Sequence, residues 1–353
     1  MAAGKWITDL PPGASYVDAA RHVLTVRLET VRHFLDSTLG QVDKDPEYVH
    51  QLRVGTRRAR AALDVFDDCL PKKIGRKTKR CLRTLRRAAG HVRDWDVFLL
   101  ELHGYRDNKN RRLRPALDLI NGLALAQRDA ARTKLVEASS DQPFAFERLI
   151  TKTLSALNQP SNGEVVHLGD VALPFLLERI DALRKTANAA VDDSTQLHRV
   201  RILGKRLRYA MEIFGDCFAK EFKERIYPAI EQMQECLGLM HDSDVATHHL
   251  LSWRERSEVS LAADWPRYRL GFDVLIKNHQ DLVASEREKF WTAWQQWEEA
   301  DGSALLESLL LEVQRGEFVS IAGNDKTAPG GRDGLKSPAD EEVGRMGTVG
   351  GLP

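Results

Sequence analysis

The chain has 353 residues, of which 42% are hydrophobic and 29% charged, and its formal net charge is +1. This length is sufficient for two domains with hydrophobic cores, and no apolar run is long enough to cross a bilayer, which argues against a membrane-spanning protein. The N-terminal sequence lacks the basic and apolar regions of a signal peptide, so we expect a cytoplasmic protein that has no membrane partner.

Helical periodicity dominates the first half of the chain, and strand signals are scarce. The first helix is predicted at 16–39, because its apolar residues recur at helical spacing and Gly40 can end it. Asp45 and Pro46 then open a second helix, which must end before Pro71. The other helices of this half are predicted at 73–92, 94–106, 111–138 and 143–157.

The second half of the chain begins after a polar, turn-forming segment at 158–163, which is the best candidate linker. Beyond residue 320 the periodicity ends, so 322–353 is predicted to be a disordered tail. The helices between them are predicted at 171–190, 194–214, 219–238, 242–257, 265–298 and 303–314.

One motif occurs twice, 148 residues apart. Val49–Leu70 reads VHQLRVGTRRARAALDVFDDCL, and Leu197–Phe218 reads LHRVRILGKRLRYAMEIFGDCF. The same offset aligns GHVRDWDV, which starts at Gly90, with GLMHDSDV, which starts at Gly238. Such a long shared register indicates two copies of one structural unit. We therefore predict an all-α fold of two helical bundles related by an approximate two-fold axis, at 12–157 and 165–315.

Each motif places a histidine and three cations on one helix face and apolar side chains on the opposite face. These residues are His50, Arg53, Arg57 and Arg60 in the first copy, and His198, Arg201, Lys205 and Arg208 in the second. An ordinary solvated face is the alternative, but solvent tolerates either sign of charge. Like charges four residues apart also destabilise an isolated helix by about 0.2–0.5 kcal/mol per pair. A face that repels itself in both copies therefore predicts an anionic ligand.

The helix after the first motif strengthens this prediction, because the segment from His50 to Arg93 contains fourteen Lys and Arg residues and only three acids. Its counterpart in the second half carries Glu224, Glu231 and Glu235, so we expect the first half to make more of the anion contacts. Arginine suits multidentate phosphate recognition. Stacking aromatics are nearly absent from these faces, which favours a polyanion without bases.

Aspartates follow the predicted helix breaks at both glycines, as Asp94 and Asp96 in the first copy and Asp242 and Asp244 in the second. We interpret them as N-caps of the next helix or as partners that hold the arginines. The alternative is a metal-dependent phosphohydrolase acting through His241, Asp242 and Asp244. Because that histidine is not repeated in the first copy, we predict no catalytic residue, no metal ligand and no cofactor.

These sequences resemble the CHAD family, the conserved histidine α-helical domains. The resemblance is carried by VHQLRVGTRRARAAL…F, by LHRVRILGKRLRYAMEIF and by the paired RDWDV and HDSDV segments, and it covers about 12–315. The resemblance implies two four-helix-type bundles that face each other across a basic cleft or pore. It also implies that the chain binds inorganic polyphosphate and associates with polyphosphate granules. The contacts that it implies are His50, Arg53, Arg57, Arg58, Arg60, His198, Arg201, Lys205, Arg206 and Arg208. Position and charge add Lys79, Arg83, Arg86 and Arg87.

The predicted function is non-enzymatic binding of inorganic polyphosphate. The alternative is a general polyanion or nucleic-acid binder, for which RNA or DNA would bind as well as polyphosphate does. We expect the histidines to make binding tighten as the pH falls from about 8 to about 6, and a His50→Ala/His198→Ala variant to lose that dependence.

Overall fold

The protein is all-helical in a computed structural model, which describes residues 4–41, 46–105, 110–140, 142–157, 165–190 and 194–310. The described part contains ten α-helices and no β-strand, so the predicted fold class is confirmed. No helix in it is both long enough and apolar enough to cross a membrane. The predicted linker at 158–163 and the predicted tail at 322–353 lie outside the described residues.

The helices range in length from about two turns to more than nine turns. A π-helical turn, Phe222–Ile226, leads directly into the eighth helix. In chain order the helices are α1 (Tyr16–Gln41), α2 (Pro46–Val65), α3 (Lys72–Gly104), α4 (Arg114–Ser140), α5 (Gln142–Leu157), α6 (Leu168–Asn188), α7 (Ser194–Met211), α8 (Tyr227–Ser260), α9 (Trp265–Glu299) and α10 (Gly302–Ser308).

The two predicted helix breaks are wrong. Helix α3 continues through Gly90, and α8 continues through Gly238. A glycine inside a helix costs only about 1 kcal/mol relative to alanine, and the tertiary contacts of these long helices outweigh that cost. Asp94 and Asp242 therefore lie in helix interiors, and the interpretation of these aspartates as N-caps is also wrong.

Two hydrophobic clusters hold the helices together. The larger one contains side chains of α1, α2, α5, α6 and α7, with the first parts of α3 and α8 and the end of α9. The smaller one contains the later parts of α3 and α8, together with α4 and the start of α9. Each cluster draws on both halves of the sequence, and residues Met1–Gln314 form one compact unit. The division into bundles at 12–157 and 165–315, and their two-fold relation, stay predictions.

The two motif helices lie side by side. Helix α2 packs on α1 and α3, α7 packs on α6 and α8, and α2 and α7 contact each other directly. A second contact between the halves joins α4 to α9, where Gly271 lies so close to α4 that a Cβ added to it would be 2.3 Å from the Cβ of Ala116. The contact between α2 and α7 brings the two predicted cationic faces together.

A buried carboxylate connects the two halves close to this junction. Glu212 is fully buried after the end of α7, and it accepts hydrogen bonds from Nε of Arg58 at 2.6 Å and from the Tyr227 hydroxyl at 2.9 Å. The buried Arg27 guanidinium lies 3.8 Å from the same carboxylate and donates to the backbone carbonyls of Gly4 and Lys5. This network ties α1 and α2 to the segment between α7 and α8.

Candidate anion-binding site

Four cationic side chains meet where α2 contacts α7, two from each motif. They are Arg53, Arg57, Arg201 and Lys205, and all four are half-buried. They line two neighbouring cavities of about 190 Å³ and about 230 Å³ and are shared by both. The sequence alignment pairs Arg53 with Arg201 and Arg57 with Lys205. We call these four residues the central cations.

The larger of the two cavities is lined mostly by basic side chains, and we call it the arginine cavity. Besides the central cations it is lined by Arg60 and Arg206 from the motif helices and by Arg86 from α3. Asp64 is the one carboxylate among its lining residues. Burial and the neighbouring arginines, Arg60 first among them, lower the pKa of Arg86. Added positive charge is therefore unfavourable here, and a bound anion would relieve the repulsion.

The smaller cavity has a mixed lining, and we call it the mixed cavity. Burial raises the pKa of two of its carboxyl groups, Glu101 and Asp242. An anion that enters it meets both cations and acids. Besides the central cations, its lining residues are His50, Arg93, Asp94, Trp95, Val97, Phe98, Glu101, His241, Asp242, Val245, Ala246 and His249.

Arg53 is held in place by α3. Its Nη1 donates to the Asp94 carboxylate and to the Gly90 carbonyl, both at 2.8 Å. A Cβ added to Gly90 would lie 3.3 Å from that Nη1, whereas one added to Gly238 would meet nothing within 4 Å. The absence of a side chain at Gly90 therefore lets the guanidinium approach the helix backbone. The interpretation of Asp94 as an arginine partner is confirmed.

The other three central cations have no such partner. In the described part of the chain, no carboxylate oxygen lies within 4 Å of the charged nitrogens of Arg57, Arg201 or Lys205. Burial is the main cause that lowers the pKa of all three, and the pKa of Lys205 falls to about 6 because Arg201 and Arg57 are also close. The Nε of Arg201 is buried without a hydrogen-bond partner among the described residues. The junction thus has more positive charge than its own carboxylates balance.

The histidines of the mixed cavity resist protonation. Burial and then the charge of Arg93 lower the pKa of His50. Burial, Arg201 and His198 lower the pKa of His241 to about 4. Both imidazoles are therefore neutral at about pH 7 and act there as hydrogen-bonding groups rather than as charges.

Several other predicted contacts are engaged elsewhere. Arg58 pairs with Glu212 at 2.6 Å, and Arg208 pairs with Glu231 at 2.9 Å. Lys79 lies within 2.8 Å of two aspartates at the end of the first motif. None of these three lines either of the two cavities. Their main contacts in the protein alone are therefore ion pairs.

The remaining predicted contacts lie at the surface. Arg83 and Arg87 are exposed on α3 and line neither cavity. His198 is also exposed, and its ring centroid lies 5.6 Å from that of His241 at the edge of the mixed cavity. These side chains can contact a ligand only if it extends beyond the cavities.

Part of the mixed cavity was not predicted from the sequence. Glu101 and His249 lie about three turns beyond the predicted breaks at Gly90 and Gly238, and the continuous helices bring them to the cavity. The signal that could have found them is the helical spacing, since Asp94 and Glu101 are seven residues apart on one face of α3, as are Asp242 and His249 on α8. Among the described residues, no group of three or more His, Cys, Asp or Glu could hold a metal ion.

Fold and site define an all-α protein with a cation-lined junction between two helices. A family model for the CHAD domain matches residues 25–251, which is more than half of the chain. The chain belongs to the CHAD family.

Two solved structures have the same fold. The crystal structure of the CHAD domain from the plant Ricinus communis superposes with a TM-score of 0.60 at 23% identity, over 82% of this chain and 96% of that one. PptA from Streptomyces chartreusis superposes with a TM-score of 0.58 at 17% identity, over 80% of this chain and all of that one. No curated protein sequence matches the chain.

Proposed function

We propose that this chain binds inorganic polyphosphate without chemically altering it, and that this binding associates it with polyphosphate granules. The observation that carries the proposal is the junction of α2 and α7, where four cations are shared by two cavities and three of them have no carboxylate within 4 Å in the described part of the chain. Membership of the CHAD family supports it, because the family resemblance implies polyphosphate binding.

The arrangement suits a flexible chain of phosphates better than a single phosphate. From His50 to Arg60 the helix rises by about 15 Å, so the cations on this face form a row long enough for several phosphate groups. A polyanion that follows the row neutralises the central cations and releases its own counterions, which favours binding at low salt. Guanidinium groups of Arg57 and Arg201 can each donate two parallel hydrogen bonds to phosphate oxygens.

The aromatic side chains give less support to nucleic acid as the ligand. Trp95 lines the mixed cavity, but its ring already packs against His249 at 4.4 Å and Trp253 at 5.5 Å between centroids. Tyr209, in the arginine cavity, is only 4% exposed. Single-stranded nucleic acids gain much of their affinity from bases that stack on open aromatic rings. A phosphate chain needs no such surface.

The first experiment is a binding titration with labelled long-chain polyphosphate, measured by fluorescence anisotropy across a salt series. We expect an Arg57→Gln/Arg201→Gln variant to bind at least about tenfold more weakly, and the log–log salt slope to fall by about 0.7 for each phosphate that the variant no longer neutralises. The matched control is Lys277→Gln, which removes an exposed cation of α9 far along the chain from the motifs and should leave binding unchanged.

The same titration separates the alternatives. RNA of equal total charge is added as a competitor, and we expect it to displace polyphosphate poorly. Equal competition would make the protein a general polyanion binder. Release of phosphate on incubation with Mg²⁺ or Mn²⁺ would contradict the non-enzymatic proposal and favour the phosphohydrolase.

A further inference from the structure

Lys205 is the one lysine among the described lining residues of the two cavities. We propose that it is a reactive amine, and that it forms an imine with small aldehydes that bear a phosphate group. This covalent modification site lies in the same junction as the proposed polyphosphate site but does not depend on polyphosphate binding, since it needs only one amine and one phosphate anchor.

The surroundings of Lys205 are unusual for a lysine because most of the charged groups that act on it are cations. Arg53 and Arg57 face it from α2, and Arg201 lies one turn before it on α7. From α8, Asp242 is the carboxylate that acts on it, and this carboxylate is not within 4 Å. Among the other groups that line the cavities with it, Asp94 is paired with Arg53.

The remaining lining groups change this picture little. Glu101 of α3 also lines the mixed cavity, and burial raises its pKa. His50 of α2 and His241 of α8 have lowered pKa values and add no positive charge at about pH 7. Asp64 and the arginines Arg60, Arg86 and Arg206 also line the arginine cavity.

The consequence is an amine that is neutral under ordinary conditions. Burial, then Arg201 and Arg57, lower the pKa of the Lys205 ammonium to about 6. At about pH 7 roughly 90% of such an amine is neutral, compared with less than about 0.1% of an ordinary lysine side chain. A neutral lysine beside other cations is the form that attacks carbonyl groups, because only the neutral amine has a free electron pair.

Phosphate anchors stand beside this amine. Arg57 and Arg201 line both cavities with Lys205, and neither has a carboxylate partner within 4 Å in the described part. Cavity volumes of about 190 Å³ and 230 Å³ match a compact molecule, whereas a polyphosphate chain would extend beyond the cavities along the row of cations. A phosphate group bound by the guanidiniums would hold an aldehyde on the same molecule next to Nζ, which raises its effective concentration there.

The reaction is a condensation. The Nζ electron pair attacks the aldehyde carbon and forms a C–N bond, while the electron pair of the C=O π bond moves to oxygen. That oxygen then leaves as water with the two amine protons, and a C=N bond remains. No oxidant, reductant or second substrate is required. The Arg57 and Arg201 side chains hold the phosphate and do not take part in bond making.

The test uses the full chain and pyridoxal 5′-phosphate as the probe. The imine is fixed with borohydride, which adds hydride to its carbon, and labelled peptides are quantified by mass spectrometry over time. We expect Lys205 to be labelled at least about tenfold faster than the exposed Lys220. Pyridoxal, which lacks the phosphate, should label Lys205 at least about tenfold more slowly than pyridoxal 5′-phosphate does, because the anchor is missing.

Two variants complete the design. Lys205→Arg replaces the neutral amine with a permanently charged guanidinium and should abolish the fast labelling, whereas Lys220→Arg should leave it unchanged. The proposal would be overturned if Lys205 were labelled no faster than the surface lysines, or if pyridoxal labelled it as fast as pyridoxal 5′-phosphate does. Both comparisons use the unaltered protein, so neither depends on the folding of a variant. Polyphosphate added in excess should protect Lys205. Fast labelling of Lys205 that polyphosphate does not slow would support the reactive amine and would contradict polyphosphate binding in this junction.

Discussion

Gly90 controls the position of a cation through the side chain that it lacks. A Cβ at this position would lie 3.3 Å from Nη1 of Arg53, so a Gly90→Ala substitution must push that guanidinium away from the helix. We expect polyphosphate binding to weaken by about threefold to tenfold, equivalent to about 0.6–1.4 kcal/mol. Anisotropy titration at fixed salt measures the change.

Gly238 is the matched control, because it occupies the equivalent position of the second copy and a Cβ there would meet nothing within 4 Å. Gly238→Ala should leave binding unchanged and raise the free energy of unfolding by about 0.5–1 kcal/mol, since alanine favours the helix. If both substitutions affected binding equally, the close approach of Arg53 would not be the cause.

Asp242 is a carboxylate inside a cavity that should attract anions. Asp242→Asn removes a negative charge with little change in shape, and we expect polyphosphate to bind about fivefold more tightly at low salt, equivalent to about 1 kcal/mol. The thermal midpoint of the free protein should rise slightly at about pH 7, because burial makes the ionised Asp242 carboxylate less stable in the folded protein than in the unfolded chain. The control is Asp281→Asn, which removes an exposed carboxylate of α9. Weaker binding by Asp242→Asn would show that this carboxylate positions a cation instead.

For single residues, the sequence predicted which helix face a side chain lies on better than it predicted which residues that side chain contacts. Helical periodicity was sufficient to place the central cations on the faces of α2 and α7 that meet, because the spacing of residues along a helix fixes the face on which each side chain lies. The family resemblance added Arg58 to the contacts, and it could not show that a carboxylate more than 150 positions away along the chain engages this arginine. Ion pairs between distant segments depend on the tertiary fold, which local spacing does not contain.

Among the elements, α3 and α8 show most clearly where sequence reasoning stops. Glycine is a common end to a helix, and both Gly90 and Gly238 were therefore interpreted as breaks. Each is instead inside a helix of more than thirty residues, whose early part packs in the larger hydrophobic cluster and whose later part packs in the smaller one. These helices stay continuous because other helices pack against them along their whole length. The sequence of a single helix does not show which helices pack against it.

The contact between α4 and α9 depends on a residue without a side chain. Gly271→Ala would place a Cβ 2.3 Å from that of Ala116, so the helices must separate. Overpacking of this kind costs about 1–3 kcal/mol, and we expect the thermal midpoint to fall by several degrees. Gly122→Ala on α4 is the control, since a Cβ there meets nothing within 4 Å. A midpoint for Gly271→Ala that equals or exceeds that of Gly122→Ala would contradict this account.

For the whole molecule, the junction predicts how binding depends on pH. Lys205 has a pKa of about 6 in the free protein, and a bound polyanion must raise it because the ammonium form is then stabilised. The contribution to affinity is therefore complete below about pH 6 and is lost as the pH rises through the higher pKa of the complex. We expect binding to tighten by up to about tenfold per pH unit between about pH 8 and about pH 6.

The variants assign this dependence to a residue. Lys205→Arg stays charged throughout, so its affinity should be higher at about pH 8 and nearly flat with pH. His50→Ala/His198→Ala should keep most of the slope, since the pKa of His50 is already lowered by burial and Arg93. Anisotropy titrations across the pH series decide between them. If the affinity of the histidine variant did not change with pH, the pH dependence would have to be assigned to the imidazoles and not to Lys205.

The buried network around Glu212 has a consequence for how the protein is made. Arg27 and Arg58 leave the ribosome long before Glu212, so the first five helices emerge before the carboxylate that both guanidiniums share in the complete fold has been synthesised. A buried charge without its partner costs several kcal/mol, which is a large part of the stability of a typical domain. We therefore expect the first half to finish folding only after the second half has emerged, so that the two cationic helices reach their final positions together.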